Sequence, residues 1–93
     1  MDRYWASLMF LFKNNANLNR CLTTKYFDLE HKVVHIRKLR EASKPWSESE
    51  RFMLDLALHL FNHRNRVNLS DMDYLDSYNA KLAIEAIRIR FNI

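Results

Sequence analysis

The sequence predicts an all-α fold: a compact bundle of four main helices with one or two short helices. Three observations carry this. Among 93 residues there is no glycine and one proline, Pro45, so little interrupts helix formation. Hydrophobic residues reach 48%, which is globular rather than disordered composition. Apolar side chains recur at i, i+3, i+4 and i+7 through several long segments. A chain of this length is expected to form a single domain over residues 1–93.

The first helix is expected from Asp2 to about Lys13. Tyr4, Trp5, Leu8, Met9, Leu11 and Phe12 give it a wide apolar face, and Asn14 and Asn15 can end it by taking the left-handed conformation. A short, weak helix follows at Asn17–Leu22, then a connector from Thr23 to Phe27. The second helix is expected to start with Asp28 as N-cap and run to about Ala42. Leu29, Val33 and Ile36 would share its inner face, with Arg37, Lys38 and Arg40 near its C-terminal dipole.

The third helix has the clearest start signal. Ser47 and Glu50 form a capping-box pair, preceded by Trp46 in the staple position. Phe52, Met53, Leu54, Leu56, Ala57, Leu58, Leu60 and Phe61 then cover nearly the whole cylinder, the pattern of a central bundle helix. After a loop at Asn65–Leu69, Ser70 is expected to open a short helix reaching about Ser77. Asn79 is expected to cap the last helix, Ala80 to about Phe91.

Absent glycines argue against a tight primed β-hairpin, a P-loop, a Rossmann phosphate loop and a glycine-built nucleophile elbow. The single cysteine, Cys21, cannot form an internal disulfide, and Leu8–Phe12 is far too short to span a bilayer. With no leader-like segment, the expectation is a protein of the cytoplasm with no membrane association.

Three of the four main helices are apolar over more than half their circumference. A domain of this size buries only about 60–65% of its extended-chain surface, so some apolar helix surface should remain open for a partner. The expected partner is a protein or a second copy, with a homodimer favoured. The first helix is the candidate interface through Tyr4, Trp5, Phe10 and Phe12, residue types suited to buried patches and hot spots.

Catalytic and metal chemistry find little support. His31/His35 and His59/His63 are i, i+4 pairs. The zinc-protease pattern needs Glu directly after the first His, where Lys32 and Leu60 stand. No nucleophile, base and stabiliser set emerges, so no enzyme activity, metal, cofactor or small-molecule substrate is expected. Net charge is +4, and Lys32, Lys38, Arg40, Arg64 and Arg66 are candidate nucleic-acid contacts. The alternative function is therefore a small DNA-binding regulator.

The segments "YWASLMFLF", "LALHLFN" after a Trp and a Ser cap, and "LDSYNAKLAIEAIRIRF" resemble small helical proteins encoded by phages and mobile elements of Gram-positive bacteria. The resemblance spans about residues 4–92. It implies an accessory protein that regulates or inhibits a host or viral protein in the bacterial cytoplasm, and it brings no activity with it. His59 and His63 depart from the Asn and small residue that the pattern would place there.

Overall fold

A computed structural model describes residues 2–93. The chain runs α1 (Arg3–Asn14), α2 (Ala16–Asn19), β1 (Phe27–Asp28), β2 (Val33–Val34), α3 (Ile36–Ser43), α4 (Glu48–Phe61), a 3-10 helix (Leu69–Tyr74) and α5 (Ser77–Phe91). The all-α architecture of four main helices and two short ones holds. Its one departure is a two-stranded hairpin where the second helix was expected to begin.

α4 is the hub. Ser47 Oγ accepts from the Glu50 amide, and Glu50 Oε1 accepts from the Ser47 amide at 2.9 Å, which completes the capping box. Seven of its side chains are buried, from Phe52 to Leu60, and α1, α2, α3, α5 and the 3-10 helix all pack on it. The central position follows from an apolar surface that leaves only a thin polar stripe.

α1 lies antiparallel to α5. Asp2 caps α1 by accepting from the Tyr4 and Trp5 amides at 3.0 and 3.2 Å. Leu8, Leu11 and Phe12 are fully buried. At one end, Tyr78 Oη donates to the Asn14 carbonyl at 3.0 Å, and Asn15 Nδ2 donates to Asn79 Oδ1 at 2.8 Å. At the other end, the Arg90 guanidinium stacks 3.7 Å from the Tyr4 ring centroid, and its Nε donates to the Leu60 carbonyl at 3.0 Å. That bond satisfies a carbonyl in the last turn of α4, which has no partner within its helix.

The segment expected as a helix from Asp28 to Ala42 divides at His35. β1 and β2 pair antiparallel with Phe27 opposite Val34 and Asp28 opposite Val33. Asp28 does not cap a helix. Its carboxylate accepts from the His31 amide at 3.2 Å and meets His31 Nδ1 at 2.8 Å, closing a four-residue turn. Lys32 takes the positive φ, at 53°, that a glycine would usually supply. Leu29 and Val33 matched a helical period over a span too short to establish one; both are exposed.

The remaining boundaries shift for local reasons. Asn15 is extended, not left-handed, and its side chain caps α2 through the Leu18 amide. Asn92, at φ 58°, is the asparagine that takes the left-handed cap, at the end of α5. Asn68, not Ser70, caps the segment that follows, and that segment winds as a 3-10 helix. α5 begins at Ser77 because Asp76 Oδ1 accepts from the Asn79 amide at 2.8 Å, which makes Asp76 the cap in place of Asn79.

Candidate functional site: an apolar groove beside the hairpin

Phe27 anchors the hairpin. It is buried at 3% exposure, with its ring edge-on to Phe12 at 4.9 Å and to Trp5 at 6.4 Å. Trp5 meets Phe61 in the same geometry at 5.9 Å. These are favourable arrangements for aromatic quadrupoles. They hold the hairpin beside α1 and fix the Trp5 indole with part of its surface still open.

A groove of about 810 Å³ results. Trp5, Met9 and Phe10 from α1, Ile89 from α5 and Leu29 from the hairpin turn give it an apolar lining. Leu29 is 57% exposed on the hairpin turn. Lys13 and Lys32 stand on the groove, as does Asp2. The Asp2 carboxylate accepts from two backbone amides through one oxygen and keeps its charge, so the groove carries two cations and one anion, an excess of one positive charge.

The predicted interface residues of α1 are divided by the fold. Trp5 and Phe10 line the groove. Tyr4 lies outside it, half-exposed under Arg90. Phe12 is fully buried and belongs to the core, so it offers no surface to a partner. Its i, i+4 relation to Leu8 places it on the inward face of α1. Leu29 joins the groove only through the hairpin, which the sequence pattern presents as helix, and Lys13 and Ile89 join it through the packing of α1 against α5.

The candidate nucleic-acid residues are also separated. Lys32 stands on the hairpin turn, and Lys38 on α3 at a different cleft. Arg40 is occupied: Nη1 bonds Asp55 at 3.0 Å and Nη2 approaches Asn65 Oδ1 at 3.4 Å. Arg64 and Arg66 are exposed in the loop after α4. Lys38 has other company. With Lys25, Tyr26 and Arg37 it borders a cleft of about 620 Å³, and Lys25 Nζ lies 5.4 Å from the Tyr26 ring.

Neither histidine pair presents two imidazoles from one helix. His31 is in the hairpin turn and His35 precedes α3. His59 Nδ1 pairs with the Asn65 carbonyl at 2.9 Å, and His63 lies beyond the end of α4. No group of three or more His, Cys, Asp or Glu side chains placed to hold a metal occurs among the described residues. Cys21 is a buried thiol whose pKa is pushed up by desolvation, so it is held as the unreactive thiol. No helix among the described residues is long and apolar enough to cross a membrane. Comparison with protein-family models, curated proteins and solved structures finds no match.

Proposed function

We propose that this chain is an accessory protein of a phage or mobile element that works by binding rather than catalysis. On this reading it acts in the bacterial cytoplasm and regulates or inhibits a host or viral protein. The groove takes an apolar segment of that partner, with acidic residues of the segment facing Lys13 and Lys32. The observation that carries the proposal is the groove itself: an open apolar lining built on fixed aromatic rings, with Lys13 and Lys32 outnumbering the one carboxylate, Asp2, at its sides. A concave apolar surface with a few oriented charges is the usual form of a segment-binding site.

Selection from a displayed library of random peptides tests this. Enriched peptides are expected to combine apolar anchors with Asp or Glu. Binding should be lost with Phe10→Glu, and the K13E/K32E double variant should prefer Lys- or Arg-bearing peptides. Enrichment indifferent to both changes overturns the proposal.

A second reading, as a nucleic-acid-binding regulator, is favoured by one observation. Lys25, Arg37 and Lys38 border one cleft beside an aromatic ring, and none of them forms an ion pair among the described residues. Cations beside a ring that can stack suit a flexible strand. A labelled single-stranded oligonucleotide should then bind with a steep salt dependence that R37E/K38E removes; no shift at low salt rejects it.

A further inference from the structure

The groove at α1 adjoins a second recess of about 510 Å³, and Leu22 and Leu29 line both. The two make one trough with a pair of leucines at the join. The chemistry changes across that join. Trp5, Met9 and Phe10 line the groove, with Lys13 and Lys32 against one carboxylate, Asp2. The recess is lined by Thr23, Thr24, Asp28 and His35 beside the buried Phe27, with one carboxylate and no Lys or Arg. Counting imidazole as neutral, formal charge passes from a net +1 at the groove to −1 in the recess.

Asp28 is engaged but not saturated. Its Oδ1 accepts from the His31 amide at 3.2 Å, and its Oδ2 meets His31 Nδ1 at 2.8 Å. A carboxylate offers about four lone-pair sites, so each oxygen keeps one. The side chain is 43% exposed, which leaves those sites within reach of a ligand.

We infer that the recess takes a Lys or Arg side chain of the same partner segment that occupies the groove, an inference that rests on the groove function proposed above. The segment is then bipartite. Its apolar anchors and an acidic residue lie along Trp5, Phe10, Lys13 and Lys32, and its basic residue lies past Leu22 and Leu29. The methylene stem of that residue crosses the two leucines, and its N–H groups donate to the Asp28 carboxylate and the threonine hydroxyls. An acidic residue in the recess would meet Asp28 with like charge, and an aliphatic one would strip water from Asp28 without replacing it. A reversed segment, base at the groove and acid in the recess, sets like charges together at both ends. Charge thus fixes the direction of binding as well as the residues. Both ends of the trough are open to water, so the basic residue adds selectivity more than affinity, a gain of about two- to fivefold.

A groove-binding peptide taken from the displayed library, and shown to need Phe10, is the probe. It is re-displayed with four randomised residues at each end and selected on the full chain at pH 8, where imidazoles in general carry little charge. One end, and only one, should enrich Lys or Arg. Fluorescence anisotropy then gives the ratio of extended to unextended affinity, so a general loss of binding in a variant cancels. The ratio should be about two- to fivefold for the parent and close to one for Asp28→Asn. Thr24→Lys, a change at an exposed residue, should turn the preference of that end from Lys or Arg to Asp or Glu. Extensions without charge preference, or a Thr24→Lys protein that selects the same extensions as the parent, overturn this inference and leave the groove function standing. A library that yields no Phe10-dependent peptide overturns both.

Discussion

Phe27 and Leu29 are two residues apart, and the fold assigns them opposite fates. Phe27 is buried beneath the hairpin between Trp5 and Phe12; Leu29 is 57% exposed on the turn. Phe27→Ala leaves a cavity of benzyl size and removes two edge-to-face contacts. It should cost about 3–5 kcal/mol, against a total stability of about 5–14 kcal/mol for a chain this long. Phe27→Leu keeps most of the volume and loses the aromatic contacts, for about 1–3 kcal/mol. Leu29→Ala removes atoms that are largely solvated already and should cost about 1 kcal/mol or less. Urea unfolding followed by circular dichroism gives all three values. Hydrogen exchange adds a local check, because the His35 amide donates to the Tyr26 carbonyl across the hairpin at 2.8 Å and should exchange faster in Phe27→Leu. Were residues 28–42 one helix with Leu29 on its inner face, the order would change, since a buried Leu→Ala costs about 2–5 kcal/mol. A Leu29→Ala cost above about 2 kcal/mol, or a Phe27→Ala cost below about 1 kcal/mol, refutes the hairpin as described.

Ser47→Ala removes half of the capping box on α4 and should lower stability by about 1 kcal/mol, a fall of about 4–8 °C in Tm. Lys32→Gly relieves a left-handed penalty of about 1–2 kcal/mol against a glycine entropy cost of about 0.5–1 kcal/mol, so Tm should rise slightly. The same change takes a cation from the groove, so affinity for acidic peptides should fall as Tm rises. The Asp28 carboxyl is held below its ordinary 3.8, chiefly by the hydrogen bond to the His31 ring and then by the His31 amide. A depressed folded value means that its contribution is present above about pH 4 and is lost as pH falls through the folded value. Asp28→Asn should flatten that acid limb in urea midpoints measured from pH 3 to 7, and an unchanged limb contradicts the assignment. Cys21, buried and with its thiol pKa raised, should react slowly with a disulfide reagent in the native protein and rapidly in urea.

What the sequence disclosed was local chemistry with long periodicity behind it. Ser47 and Glu50 mark the start of α4 by residue type alone, and the apolar stretch from Phe52 to Phe61, interrupted only by Asp55 and His59, makes its central place legible. The hairpin was hidden because its signals compete. Asp28 serves an N-cap or a turn equally well, and Leu29, Val33 and Ile36 satisfy a helical period across a strand boundary. The β-branched pair Val33–Val34 was the available hint, since such residues favour strands. Lys32 supplied the positive φ, so absence of glycine did not exclude the turn. The site was half legible: Trp5 and Phe10 stood out as aromatics of α1, but Leu29 reaches them only through that turn. Arg40 looked like a free cation until α4 and the loop after it brought Asp55 and Asn65 to it.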